Sequence, residues 1–351
     1  MKKALITGIT GQDGAYMANL LLNAGYDVYG TYRRISSPNF WRLSSLGIEK
    51  RVKFLPCDVS DSGSVYAVIE RVAPDVVYHL AAQSYVFVSF DSPISTFYNN
   101  GLATLNFLEA LRRKNLRDTY FYNAATSEMF GNNTDELLNE RSSLIPESPY
   151  ACSKVYSFHM TRIYREAYGL KAFNGILFNH ESELRGLEFV TRKISNEVAR
   201  IFLGISKELR IGNILSERDW GYAPEYVQAM KMIMDSDNPT DYVVATGESH
   251  SVKEFLEIAF SYVGLDWTKF TKVNEDFVRK HDVYKLRGDY SKIRDELGWR
   301  PKMNFRQLVG VMVKSDVERW TNILRGKMIP TDALFYEESL YDIKSWGGSS
   351  V

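Results

Sequence analysis

Short apolar runs alternate with longer amphipathic segments through the first half of the chain. The apolar runs predict six strands, at residues 3–7, 27–31, 52–55, 75–80, 119–124 and 173–178. Between them, apolar positions recur at helical spacing and predict helices near residues 13–24, 62–72, 102–113 and 150–168. This alternation predicts the α/β class, with a doubly wound parallel sheet. Such a sheet binds ligands at the carboxyl ends of its strands, where the strand order switches.

The second half of the chain is less regular. Helical patterns near residues 189–203, 223–234, 252–263 and 305–324 are separated by polar loops. We expect a smaller α/β lobe built on the sheet, with segments that cross back and forth between the two. The predicted division gives residues 1–175 and 210–245 to the sheet domain, and residues 176–209 and 246–325 to the lobe. Residues 326–351 would form a C-terminal extension.

Composition and charge argue against several kinds of partner. The 43 Lys and Arg residues balance the 43 Asp and Glu residues, so the net charge of +0 does not indicate nucleic acid or an anionic membrane. Cys57 and Cys152 lie far apart in no metal-ligand spacing, which fits a reducing compartment without disulfides. The apolar run after Lys3 stops at Thr7, as in a first strand and not a signal peptide. No apolar stretch approaches the roughly 20 residues of a membrane helix, so we expect a cytoplasmic protein.

A glycine-rich loop follows the first predicted strand and opens the first predicted helix. Gly8, Gly11 and Gly14 have the spacing of a dinucleotide-binding loop, with one residue more between the first two than the usual pattern. A plain turn is the alternative, but the strand–turn–helix context favours a Rossmann sheet whose helix N-terminus binds a pyrophosphate. The residues predicted to contact the cofactor here are Gly8, Thr10, Gly11, Gln12, Asp13 and Gly14.

The end of the second strand favours NADP over NAD. An acidic residue there would accept the ribose 2′-hydroxyl of NAD, but Arg33 and Arg34 follow the strand instead. Two cations suit a 2′-phosphate, although an exposed basic turn would have the same sequence. Positions after the third and fourth strands predict further cofactor contacts from Asp58, Val59, Leu80, Ala82 and Ser84.

A tyrosine and a lysine at the start of a predicted helix have the spacing of a catalytic pair. Tyr150 and Lys154 are four residues apart, so the phenol and the ammonium share one helix face. A nearby ammonium lowers the pKa of a phenol, and the phenolate can take a proton from a hydroxyl while hydride leaves the same carbon. Chance could also supply such a pair in a chain with 22 tyrosines.

Thr126 and Glu128 follow the fifth predicted strand. A hydroxyl residue here suffices for a reductase or an epimerase, because it only needs to hydrogen-bond the reacting oxygen. A dehydratase also needs a carboxylate. After oxidation of C4 to a ketone, Glu128 could remove the acidic C5 proton as water leaves C6. The alternative is that Glu128 merely stabilises the start of a helix.

Taken together, these residues resemble the GDP-mannose 4,6-dehydratase family, over residues 4 to about 317. Besides the motifs above, the resemblance rests on residues 174–182, 189–194, 218–221 and 245–252. The runs 179–182 and 189–194 are far more specific than the general fold motifs. The resemblance implies a lobe that binds a nucleotide sugar, and NADP that is used and regenerated without net redox change.

Residue roles follow from the same resemblance. The implied catalytic set is Thr126, Glu128, Tyr150 and Lys154, and Tyr150, Lys154 and His180 would also contact the cofactor. The implied substrate contacts are Ser84 and Asn179, Val190 and Lys193 at the guanine base, and Arg218 and Arg279 at the diphosphate or ribose. In the family, the loop that corresponds to 33–37 reaches the cofactor of an adjacent subunit, which implies a homotetramer or a homodimer.

Three segments depart from the family pattern. Residues 183–186 replace Pro-Arg-Arg-Gly, residues 279–282 replace Arg-Pro-Thr-Glu, and the loop 38–43 differs from the best-known members. The catalytic set is intact, so the expected reaction is dehydration of GDP-mannose or of a GDP-linked manno-heptose to the 4-keto-6-deoxy sugar. The alternatives are a nucleotide-sugar 4-reductase or epimerase on the same scaffold, and a non-catalytic dinucleotide-sensing protein.

Overall fold

A seven-stranded parallel sheet lies at the centre of the fold. The structure, a computed structural model, describes residues 1–36, 39–273 and 283–327. The strands of the sheet are β1 Lys3–Thr7, β2 Asp27–Tyr32, β3 Lys53–Pro56, β4 Val76–His79, β5 Tyr120–Thr126, β6 Ala172–Leu177 and β11 Asp241–Val244. Their order is β3-β2-β1-β4-β5-β6-β11, and every neighbouring pair is parallel. This topology confirms the predicted α/β class with a doubly wound Rossmann sheet.

Helices follow the strands through the chain. They are α1 Gln12–Asn23, α2 Trp41–Ser45, α3 Ser62–Val72, α4 Val88–Asp91, α5 Pro93–Phe97, α6 Ala103–Arg113, α7 Pro149–Tyr168, α8 Val190–Phe202, α9 Ala223–Met234, α10 Val252–Tyr262, α11 Ser291–Leu297 and α12 Phe305–Leu324. Short strands outside the main sheet are β7 Asn179–Glu181, β8 Leu209–Ile211, β9 Glu217–Arg218, β10 Trp220–Tyr222, β12 His250–Ser251 and β13 Thr271–Val273.

The sheet is buried on both faces. Along β1, Ala4 and Ile6 belong to an apolar cluster with α1 and α9, whereas Leu5 belongs to a second cluster with α3 and α6. All three side chains are fully buried. Because successive strand residues point to opposite faces, this one strand helps to build both cores.

A third apolar cluster joins α8, α10 and α12. Trp220 of β10 stacks on Phe305 of α12 with ring centroids 5.7 Å apart, and Phe255 of α10 meets both rings edge-on. This cluster is the core behind α8, the helix that carries the predicted base-binding residues Val190 and Lys193.

The strand order switches at β1. From β1 the chain continues to β2 and β3 on one side and then crosses to β4 on the other. The loops after β1 and β4 therefore diverge at this point, and the resulting crevice is where doubly wound folds bind ligands. Among the described residues, no helix has the length and apolar character that a membrane crossing requires.

Candidate active site

One large cleft of about 1340 Å³ brings the predicted site residues together. It exceeds the roughly 300–1,000 Å³ typical of a pocket for one ligand, so it has room for a cofactor and a second ligand. The predicted residues that line it are Gly8, Thr10, Gly11, Gln12, Asp13, Gly14, Arg33, Asp58, Val59, Leu80, Ala82, Ser84, Thr126, Glu128, Tyr150, Lys154, Asn179, His180, Val190, Lys193 and Arg218. Arg34 is exposed and does not line the cleft. Arg279 lies outside the described residues.

The glycine-rich loop needs its glycines for two different reasons. Gly8 has a φ of +67°, and a Cβ atom there would lie 2.9 Å from the Ala81 backbone. At Gly14 a Cβ atom would lie only 2.3 Å from the carbonyl oxygen of Gly8. The first glycine thus permits the turn after β1, and the last lets α1 pack against that turn.

A half-buried ion pair between Asp13 and His180 connects this loop to β7. His180 Nε2 lies 2.8 Å from Asp13 Oδ2, and its Nδ1 lies 2.7 Å from the Phe178 carbonyl oxygen. The Phe178 carbonyl and the Asp13 carboxylate both accept hydrogen bonds, so this arrangement favours an imidazole that is protonated on both ring nitrogens. Burial lowers the pKa of His180, but the Asp13 carboxylate more than offsets this effect and the net pKa is raised. The raised pKa favours the charged form of His180, whose charge the Asp13 carboxylate balances at the cofactor side of the cleft.

Tyr150 and Lys154 lie in the first turns of α7. The Ser148 hydroxyl accepts a hydrogen bond from the Ala151 amide and caps the helix, and Pro149 occupies its first turn. Both functional side chains are buried. Lys154 Nζ donates to the Ala124 carbonyl oxygen at 2.9 Å and lies 6.0 Å from the centre of the Tyr150 ring. Burial lowers the pKa of Lys154 to about 8.

Burial raises the pKa of Tyr150 to about 12, which is opposite to the lowering that the spacing from Lys154 predicts. A hydrogen bond from Thr126 lowers the pKa, the charge of Glu128 raises it, and the charge of Arg185 lowers it. The phenol is therefore protonated at neutral pH unless further positive charge reaches it.

Glu128 lies in a short 3-10 turn, Ser127–Phe130, directly after β5. Thr126 caps this turn, because its Oγ1 accepts a hydrogen bond from the Glu128 amide at 3.3 Å. The Glu128 carboxylate is buried and lies 3.8 Å from Arg218 Nε. The same turn thus holds a hydroxyl and a carboxylate at the cleft, next to the phenol of Tyr150.

The substrate side of the cleft is polar and cationic. Val190 and Lys193 lie in the first turns of α8, and Arg218 lies on β9. Asn179 Oδ1 is buried in the cleft wall and has no hydrogen-bond partner within the described ranges. A buried acceptor of this kind is suited to a ligand that donates a hydrogen bond.

Arg33 lies at the cofactor end, beside Asp58. Hydrogen bonds from Ser60 do most to lower the pKa of Asp58, and the Arg33 charge lowers it further. Arg33 is exposed at the rim of the cleft, so it can reach an anionic group of a bound nucleotide.

Arg185 is a further cation in the cleft, and it lies outside the motifs that predict the other site residues. Its Nε lies 3.0 Å from Glu181 Oε2, and its guanidinium carbon lies 3.5 Å from the centre of the Phe189 ring. Its charge lowers the pKa values of Tyr150 and Asp13. Residues 183–186 differ from the Pro-Arg-Arg-Gly of the family, but Arg185 matches the second arginine of that pattern. This match is the sequence signal that could have indicated Arg185 as a site residue.

Comparisons with known proteins give concordant matches. Residues 5–312 match the family model described as GDP-mannose 4,6 dehydratase. The chain is 46% identical over 326 residues to GDP-mannose 4,6 dehydratase 1 of Arabidopsis thaliana, covering 90% of each chain. It is 42% identical over 348 residues to the GDP-mannose 4,6-dehydratase of Sinorhizobium fredii, covering 93% of this chain and 98% of that one.

Among solved structures, the fold is similar to that of a dTDP-glucose 4,6-dehydratase from Bacillus anthracis in complex with NAD. The TM-score is 0.80 at 19% identity, and the match covers 92% of this chain and 98% of the other. At that identity the likeness concerns the fold alone.

Proposed function

The chain belongs to the GDP-mannose 4,6-dehydratase family of hydro-lyases, and from that premise we propose how its cleft dehydrates GDP-mannose. The supporting observation is the group of three side chains Thr126, Glu128 and Tyr150 on one wall of the cleft. A reductase or an epimerase needs the hydroxyl and the phenol but not the carboxylate. That alternative is not favoured, because the related sequences are dehydratases and Glu128 faces the cleft.

Each side chain has a distinct task in the proposed reaction. Tyr150 takes the proton of the C4 hydroxyl as a phenolate, with Thr126 hydrogen-bonded to the same oxygen. The positive charge of an oxidised nicotinamide beside the phenol would favour that phenolate. Glu128 then removes the C5 proton and protonates the hydroxyl that leaves C6 as water. Tyr150 finally returns its proton to C5, so that every proton is accounted for. A nicotinamide cofactor, when bound, would hold the hydride between its removal from C4 and its return to C6. The overall change is therefore the loss of one water.

The residues at the cofactor end of the cleft fit a dinucleotide. The turn at Gly8 and the N-terminus of α1 suit a pyrophosphate. Arg33 at the rim of the cleft supports NADP over NAD. The 2′-phosphate of NADP is bound by a cation, whereas the ribose 2′-hydroxyl of NAD is bound by a carboxylate at the same position. Turnover with NADP is therefore expected to exceed turnover with NAD at equal concentration.

One assay tests the proposal directly. The purified chain is incubated with GDP-mannose and NADP without added reductant, and the nucleotide sugar is analysed by mass spectrometry. We expect the loss of one water from GDP-mannose. A parallel reaction with the GDP-linked manno-heptose tests the open question of the C6 substituent. If neither sugar loses water, the assignment is wrong.

We also propose that the chain self-associates, as a homotetramer. Exposed apolar side chains lie on α5, on the turn after it and on α7: Ile94, Phe97, Tyr98, Ile163 and Tyr168. The two helices pack together, since the Phe97 and Tyr156 rings lie 5.3 Å apart. Exposed apolar side chains on neighbouring helices are typical of a protein interface. Light scattering is expected to give the mass of four chains, and the mass of one chain would exclude self-association.

A further inference from the structure

Two guanidinium groups hold the backbone of the segment that precedes α8. Arg192 Nη1 donates to the carbonyl oxygens of Glu183 and Arg185, at 3.2 Å and 2.8 Å. Arg319 Nη2 of α12 donates to the same Glu183 oxygen at 3.0 Å. Both carbonyls therefore depend on cations from outside the segment, and no regular secondary structure fixes them.

The carbonyl between them is held by a third guanidinium. Arg42 Nε of α2 donates to the Leu184 oxygen at 2.7 Å, and its Nη1 donates to the Thr10 oxygen at 3.0 Å. Arg42 thereby connects this segment to the glycine-rich loop. Three consecutive carbonyls are thus fixed by arginines from three different helices.

One carboxylate, that of Asp316, holds two of these arginines. Its side chain is fully buried and accepts hydrogen bonds from Arg192 Nε at 2.9 and 3.0 Å, with Arg192 Nη2 at 2.8 Å. It also accepts from Ser195 Oγ at 2.7 Å and from Arg319. A buried guanidinium such as that of Arg192 requires a paired anion, because an uncompensated buried charge is strongly destabilising.

The segment so fixed carries Arg185, whose side chain lines the cleft. Once its backbone carbonyl is held, the Arg185 guanidinium lies between Glu181 and the Phe189 ring and acts on Tyr150. Functional groups need this kind of support, because a shift of about 1 Å can cost on the order of a hundredfold in rate.

We propose that Asp316 is a positioning residue for dehydration: it orients Arg192 and Arg319 on the carbonyls of residues 183 and 185, which aims Arg185 into the cleft. The inference rests on the proposed function. It assigns a role in that function to Asp316, which lies on α12 and does not line the cleft. It predicts that the charge of Asp316, and not only its volume, controls the reaction.

The test compares two isosteric substitutions at buried ion pairs. Asp316→Asn removes the charge that holds Arg192. Asp241→Asn is the matched control: Asp241 is also buried, pairs with Arg165 Nη1 at 3.0 Å, and does not line the cleft. Both variants are expected to lower the unfolding temperature. Only Asp316→Asn should lower kcat/KM, by about 10- to 100-fold.

Two further measurements separate positioning from general destabilisation. In Asp316→Asn, hydrogen exchange of the peptide 182–189 should quicken by about tenfold or more, and in the control it should not. The rise of kcat/KM with pH should also move to higher pH in Asp316→Asn. Because the Arg185 charge lowers the pKa of Tyr150, displacing that charge raises this pKa.

A double-mutant cycle tests the route through Arg185. If Asp316 acts through Arg185, the Asp316→Asn substitution has little left to disturb once Arg185 is replaced. The double variant should therefore have a kcat/KM less than about threefold below that of Arg185→Gln alone. Full additivity would overturn the inference, as would an Asp316→Asn enzyme within about twofold of wild type. If Asp316→Asn does not fold, Arg319→Gln provides a second variant, because it removes the hydrogen bond from Arg319 to the Glu183 carbonyl oxygen and the contact of Arg319 with Asp316. Hydrogen exchange of the peptide 182–189 is expected to quicken in this variant too.

Failure of the proposed function would be recognised separately. In that case the wild-type chain forms no dehydrated product. Hydrogen exchange of the peptide 182–189, measured without substrate, would still decide whether Asp316 holds the segment.

Discussion

Replacing Glu128 with glutamine is expected to lower dehydration about a thousandfold, because positioned acid–base groups contribute roughly 10²- to 10⁴-fold to a rate. Glutamine keeps the volume of the side chain but can neither remove the C5 proton nor protonate the leaving hydroxyl. Oxidation at C4 uses Tyr150 and Thr126 and should continue in this variant. Reduced nicotinamide should therefore accumulate, up to one equivalent per site, and its absorbance during a single turnover is the measurement.

A half-buried glutamate elsewhere provides the control for Glu128→Gln. Glu140 accepts a hydrogen bond from the Val243 amide at 2.7 Å, and burial raises its pKa. It does not line the cleft, and glutamine can accept the same bond. Glu140→Gln should keep turnover within about twofold of wild type. If Glu128→Gln also turns over at the wild-type rate, elimination does not use Glu128 and the proposed reaction is wrong.

The parts of the site that the sequence predicts are those held together by local geometry. Gly8 and Gly14 are confined to one turn, so the spacing of glycines after a strand already indicates their contacts. Tyr150 and Lys154 are neighbours on one helix face, whatever the rest of the fold does. In the same way, the period of the apolar residues predicts helices such as α3 and α12, whose observed bounds match the predicted ranges.

The features that the sequence does not predict depend on distant partners. The contact between Arg192 and Asp316 joins residues 124 positions apart, and no local pattern connects them. Strand β11 lies in the less regular second half of the chain, where no alternation of strands and helices indicates it, and it pairs with β6 through residues as distant in sequence as Asp241 and Asn174. Arg185 is likewise directed into the cleft by contacts made far along the chain.

The protonation of Tyr150 illustrates the same limit in energetic terms. Spacing predicts a cation near the phenol and hence a lowered pKa. The fold buries the phenol, and burial raises the pKa to about 12 despite the Thr126 and Arg185 contributions. Burial is a property of the whole packed structure, so the sign of the net shift is visible only after folding.

Replacing Tyr150 with phenylalanine is expected to lower turnover by about 10³- to 10⁴-fold, and to block the reaction one step earlier than Glu128→Gln does. Without the phenol oxygen, no group is placed to take the C4 hydroxyl proton as hydride leaves. Reduced nicotinamide should therefore not accumulate in a single turnover. The pair of variants separates oxidation, assigned to Tyr150, from elimination, assigned to Glu128.

Tyr122 provides the matched control for this substitution. Its phenol is fully buried in the core beneath the sheet, and its hydroxyl has no hydrogen-bond partner in the described part of the chain. Tyr122→Phe should keep turnover within about twofold of wild type and should not lower stability, because an unpaired buried hydroxyl contributes none. If Tyr150→Phe still produces reduced nicotinamide at the wild-type rate, another group takes the C4 proton. The task assigned to Tyr150 would then have to pass to a different residue of the cleft.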